Sequence, residues 1–236
     1  MDNQYYIRNK NKIMKQFNKF IKVAKKVVLP SNSALDIHSI GEQARNELES
    51  ILSRLPYVGG DDSPFTPLMI QSAETIALFK ATKKLTLSER EIGKIIYDIA
   101  ESYAKSIPSI KKWFFRKAIF SVKMKNYWKE WLNESQKNKY PENWVGEYVE
   151  GLNEEFDWGF NFTECGWLKL IKKEDAEVIA PYACLCDYAR MRELGVGFKR
   201  TKTLAAGARI CDFRFIRNYP TQTGWPPENL EEYRGS

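Results

Sequence analysis

Phe156-Asp157-Trp158-Gly159-Phe160-Asn161-Phe162 alternates aromatic residues with polar or small ones at a period of two. Successive side chains of a strand point to opposite faces, so the run reads as a β-strand with one aromatic face buried. Nothing upstream reads that way. Ile13, Met14, Phe17, Phe20, Ile21, Ala24 and Val28 recur at helical steps among lysines, an amphipathic basic helix expected to end before Pro30. Ile40, Ala44, Leu48 and Ile51 or Leu52 predict a helix over 40–54. Others are expected over 67–83 and 88–106, the latter opened by a Ser88/Glu91 capping box. The loop 56–64, Pro-Tyr-Val-Gly-Gly-Asp-Asp-Ser-Pro, carries every breaker signal, and 109–139 completes the helical half.

Downstream of the strand, 174–194 reads as one helix. Gly197 to Phe215 then reads as a hairpin, with Gly207 supplying a permissive turn conformation. Alternation along its second run sets Cys211, Phe213 and Phe215 on one face and Asp212 and Arg214 on the other. Arg200, Lys202 and Leu204 likewise oppose Thr201 and Thr203. Helices first, then strand, helix, strand, strand, is an α+β arrangement in a single compact domain. Residues 1–30 stand as a basic helix, 31–220 as the body and 221–236 as a C-terminal tail.

The chain has 236 residues, 43% hydrophobic and 14% aromatic, enough for a sizeable core. No apolar run approaches the roughly 18 residues of a membrane span, and four cysteines without a CxxC pair suit reduced thiols. A cytoplasmic location is expected. The net charge of +7 equals that of residues 1–30, where eight basic residues face Asp2 alone. Elsewhere, seven basic residues and no acid in 111–129 balance seven acids and no base in 142–164. Such opposed blocks, with no nucleic-acid motif, argue against a nucleic-acid partner. Trp113, Phe114, Phe115, Phe120, Tyr127, Trp128 and Trp131 interleave with the lysines of 109–139. Such helices suit a membrane surface, but core packing is the expectation.

Several blocks carry a resemblance. They are Pro56-Tyr57-Val58-Gly59-Gly60 with Thr66-Pro67, Tyr140-Pro141-x-x-Trp144 with Tyr148-Val149, Asp157-x-Gly159 with Glu164-Cys165, and Pro181-Tyr182-x-Cys184-x-x-Asp187. Above all there is Arg200-Thr201-x-Thr203-Leu204-Ala205-x-Gly207 leading to Cys211-Asp212-Phe213-Arg214. In this order the chain resembles the L-2-amino-thiazoline-4-carboxylic acid hydrolase family over nearly its whole length. The resemblance implies hydrolytic opening of a thiazoline ring to N-carbamoyl-cysteine.

Such a substrate bears a carboxylate at one end and an amidine-like carbon at the other. It needs a cation, for which Arg200 and Arg214 are candidates, and a carboxylate for the amidine, from Asp157, Glu164, Asp187 or Asp212. Thr201 and Thr203 of the long block join the expected substrate contacts. The nucleophile is a cysteine thiolate, a carboxylate-activated water or a metal-bound hydroxide. Cys165, Cys184 and Cys211 match the family pattern. Cys184 and Asp187, three apart, share a helical face from which Cys186 points away. The single histidine, His38, is expected at the surface or as a cap, so a histidine-centred triad is disfavoured. A zinc site at Cys165, Cys184 and Cys211 would lack a supporting histidine motif, so no metal is expected, and without a P-loop or GxGxxG no organic cofactor is expected. A small-molecule substrate is the expected partner, with a membrane surface disfavoured. The rival reading is a non-enzymatic ligand-binding domain, because the closing part is similar in outline to vinyl-reductase-type (4VR) sensor domains.

Overall fold

The computed structural model describes residues 4–28, 37–83, 85, 87–152 and 155–234. Its helical half comprises α1 (Tyr5–Arg8), α2 (Lys10–Val28), α3 (Ile37–Leu52), α4 (Phe65–Thr82), α5 (Glu89–Lys105), α6 (Ser109–Ile119) and α7 (Val122–Ser135). The apolar stripe of α2 is buried at Ile13, Phe17, Ile21 and Ala24; the expected stop at Pro30 lies outside the described residues. On α4, burial runs nearly all round, through Phe65, Met69, Ala73, Ile76, Ala77 and Phe79, so this helix is the hydrophobic centre. The capping box of α5 forms in both directions: Glu91 N–H donates to Ser88 Oγ at 3.3 Å and Ser88 N–H to the Glu91 carboxylate at 2.8 Å.

The expected helix 109–139 is two. Ser121 interrupts it as the N-cap of α7, its Oγ accepting the Met124 N–H at 3.2 Å. Beyond the helices come β1 (Val145–Leu152), β2 (Phe156–Glu164), α8 (Gly166–Lys173), α9 (Ala180–Cys184), α10 (Cys186–Leu194), β3 (Gly197–Lys199) and β4 (Cys211–Ile216). The strands form one antiparallel sheet in the order β1-β2-β4-β3. Register sets Trp158 opposite Phe215, Phe160 opposite Phe213 and Phe162 opposite Cys211, a continuous aromatic face turned to the helices. This α+β architecture agrees with the sequence reading.

Three local expectations need correction. β1 is a strand the alternation did not reveal, because Gly146, Gly151 and two glutamates dilute its pattern. The helix expected over 174–194 is broken, with Asp175 at positive φ (52°) and a one-residue interruption at Leu185 between α9 and α10. The first hairpin strand ends at Lys199 rather than Leu204, after which Thr203 caps a short 3-10 turn over Leu204–Ala206. Gly207 closes that turn at φ 84°, the left-handed role expected of it. The tail also packs on the body: Leu230 is fully buried, and Thr221 Oγ1 accepts the Phe198 N–H at 2.8 Å and donates to Val196 O at 2.6 Å.

Candidate functional site

A cavity of about 480 Å³ lies between the helices and the aromatic face of the sheet. Phe160, Phe213 and Phe215 form its sheet wall, and Ile96, Phe115, Ile119 and Trp128 face them from α5, α6 and α7. One polar wall comes from three closing elements. α9 and α10 bring Cys184, Cys186, Asp187 and Arg190; the β2–α8 junction brings Cys165; the hairpin brings Arg200 and Cys211.

Arg200 organises this wall. Its side chain is fully buried, and Nε and Nη2 donate to the two Glu232 carboxylate oxygens at 2.5 and 2.8 Å. Nη1 donates to Asp187 Oδ2 at 2.9 Å, and Nη2 also donates to Cys184 O at 3.0 Å. Four of the five guanidinium N–H donors are thus engaged within the protein. Burial alone would lower the pKa of Arg200; its bonds to Glu232 and the charge of Asp187 reverse that and leave it above the ordinary arginine value. Arg200 therefore lacks the free fork that bidentate recognition of a substrate carboxylate needs, because Glu232 already fills it.

Other expected residues are drawn elsewhere. Arg214 does not line the cavity: Nη2 donates to Asn161 Oδ1 at 2.9 Å, Nη1 to Phe213 O at 2.9 Å, and the guanidinium lies over the Phe156 ring. Asp212, on the same sheet face, accepts the Thr201 and Lys202 N–H groups on Oδ1 (2.8 and 2.6 Å) and the Thr201 hydroxyl on Oδ2 (2.6 Å). Asp157 accepts the Arg217 N–H at 2.7 Å, and Glu164 pairs with Lys169. Thr203 sits behind the wall, its Oγ1 accepting the Ala205 N–H and lying 3.5 Å from Cys211 Sγ. Of the expected residues, the cavity gathers Cys165, Cys184, Asp187, Arg200 and Cys211.

Burial raises all of these thiols: Cys165 to about 12, Cys184 well above its ordinary value, and Cys211 also upward despite an N–H from Leu204 at 3.2 Å. The Arg200 charge pulls Cys184 down by less than burial pushes it up. These groups rest as thiols near neutral pH. Cys186, expected to face away, lines the cavity too, and its Sγ lies 3.9 Å from Ile96 O.

Two cavity residues escaped the sequence reading. Arg190, one turn past Cys186 on α10, has no hydrogen-bond or ion-pair partner among the described residues. Glu74 on α4 is buried, with Oε1 unpartnered and Gln16 hydrogen-bonding the carboxyl; burial pushes it up to about 8. The usable signal was composition, since Glu74 is the one acid in a largely buried helix. Among the described residues, no group of three or more His, Cys, Asp or Glu side chains is placed to hold a metal ion.

A helix-covered antiparallel sheet encloses an aromatic cavity with thiols, a carboxylate and a cation in one wall, on an α+β scaffold. Residues 69–215 match the model of the L-2-amino-thiazoline-4-carboxylic acid hydrolase family, and the chain belongs to that family. Comparison with curated proteins and with solved structures gives no significant match. The matched span runs from α4 to β4, yet Gln16 of α2 and Glu232 near the C-terminus serve the same site from outside it.

Proposed function

We propose that this protein hydrolyses a small cyclic amidine bearing a carboxylate, of the 2-amino-thiazoline-4-carboxylate type. The family supports the hydrolase class, and one observation supports the roles of the residues. Asp187 has one oxygen held by Arg200, while Oδ1 accepts no hydrogen bond among the described residues, and the residue lines the same cavity as the thiols. A carboxylate so oriented is suited to act as a general base. In the reaction, a water oxygen bonds the ring carbon between nitrogen and sulfur as the carbon–nitrogen π pair passes to the ring nitrogen. Asp187 takes one water proton and returns it to that nitrogen, and the second leaves the added oxygen as its carbonyl forms. The carbon–sulfur bond then breaks, and the departing sulfur takes up a proton to become the thiol of N-carbamoyl-cysteine. Arg190 receives the substrate carboxylate, since its guanidinium is uncommitted. The resting thiols favour water over Cys184 as the nucleophile.

The test is incubation with L-2-amino-thiazoline-4-carboxylate and related cyclic amidines, with carbamoyl-cysteine as the readout. Turnover is expected in the parent and in Cys184→Ser. Asp187→Asn should lose it by at least about a hundredfold, the lower range for general-base catalysis. Loss in Cys184→Ser with a normal melting profile would instead mark a covalent route. No turnover across the panel, with folded protein, would favour the ligand-binding reading, which the largely aromatic cavity wall also supports.

A further inference from the structure

The apolar residues of α6, in the segment 109–139 expected to pack a core, differ in exposure. Ile119 is buried against the cavity and Phe115, though 38% exposed, also lines it, whereas Ile110 and Phe114 are each 60% exposed and Trp113 is 45% exposed. A helical wheel places Ile110, Trp113, Phe114 and Lys117 along one outward stripe, flanked by Lys111 and Arg116. Val122, at the first turn of α7, extends the apolar surface and is 73% exposed. Clusters of exposed apolar side chains this large mark interaction surfaces rather than ordinary solvent-facing residues.

Charge selects the occupant. Residues 111–129 contain seven basic residues and no acid. Among the described residues, only Lys112 and Lys129 of these reach a carboxylate, Glu193 and Glu150. A second copy of the chain seated on this face would bring two such basic clusters together. An anionic lipid surface satisfies both components: aromatic and aliphatic side chains enter the interface while flanking lysines extend to the headgroups.

We propose that α6 and the first turn of α7 dock on an anionic lipid bilayer surface, with Ile110, Trp113, Phe114 and Val122 entering the interface. No helix among the described residues is long and apolar enough to cross a membrane, so the contact is peripheral. Because Phe115, Ile119, Met124 and Tyr127 of the same two helices line the cavity, docking sets the lipid surface one helix layer from the site. The inference is independent of the reaction proposed above.

Co-sedimentation of the full chain with phosphatidylcholine vesicles, with and without equimolar phosphatidylglycerol, tests it. The protein should sediment with the anionic vesicles alone, and less so as salt rises. The exposed double variant Trp113→Ala/Phe114→Ala, checked for an unchanged melting profile, should lower partitioning by at least about tenfold. The triple variant Lys12→Glu/Lys15→Glu/Lys19→Glu on α2 should leave most of it. No sedimentation with anionic vesicles, equal partitioning of the double variant, or loss only in the α2 variant would overturn the proposal. So would a dimer in solution that Phe114→Asp converts to monomer without any vesicle binding, which would give the face to a second copy.

Discussion

Glu74 shows how one residue carries an energetic cost that its surroundings do not relieve. Burial raises its pKa from the ordinary carboxylate value to about 8, so the native state keeps a proton that the unfolded chain has already released above about pH 4.5. The unfolded state binds fewer protons across that window, and stability falls as pH rises through it. The contribution is complete below the unfolded pKa and is lost as pH passes about 8. Glu74→Gln removes the titrating group while keeping an amide for Gln16 to meet. Its stability gain over the parent should therefore be small at about pH 5 and grow to a few kcal/mol at about pH 9. Urea unfolding at the two pH values checks this, and equal gains at both would rule the linkage out. Arg200 teaches a related lesson about legibility. The long sequence block correctly marked it as special, but its partner Glu232 lies 32 positions away, and no local pattern could show that its fork was already filled.

At the scale of elements, sheet alternation was legible wherever one face is aromatic. β2 and β4 stood out because Phe160 and Phe213 pair across a buried face, whereas β1, with two glycines and half its residues exposed, lacked the contrast. The same alternation set Arg214 opposite Cys211, and the structure keeps it there, outside the cavity. Family spacing had nevertheless placed both among the site residues. The hairpin departed from expectation for a different reason: its loop is held by hydrogen bonds rather than by strand pairing. Asp212 accepts three of them, from Thr201 N–H, Thr201 Oγ1 and Lys202 N–H. Asp212→Ala strands both backbone donors at the point where the chain carries Arg200 into the cavity wall. A loss of about 2–4 kcal/mol is expected from charge-assisted bonds of this kind. Amide exchange at residues 201–204 should accelerate with it. A variant with parent-like stability and exchange would show that the turn over Leu204–Ala206 holds the loop without Asp212.

For the whole molecule, the family-matched span and the folding unit have different boundaries. The match ends at Phe215, but the buried Arg200 depends on Glu232, and β3 depends on Thr221 to satisfy the Phe198 N–H. Ending the chain at Pro220 would remove Glu232, Leu230 and the Thr221 bonds together. Asp187, partly solvent-exposed, would remain as the sole carboxylate on a guanidinium enclosed by Tyr188, Phe198 and Phe213. Removing one partner of a buried ion pair typically costs about 3–5 kcal/mol, a large share of the stability of a single domain. Glu232→Gln alone should lose roughly that much, and the shortened chain should show no cooperative urea transition. Replacing the pair with apolar side chains, as in Arg200→Met with Glu232→Leu, should recover stability over Glu232→Gln while disturbing Asp187, so that folding returns without turnover. A shortened chain unfolding cooperatively at the parent midpoint would show that the C-terminal residues only cover the site; failure of the apolar pair to recover stability would locate the loss in packing rather than in the stranded charge.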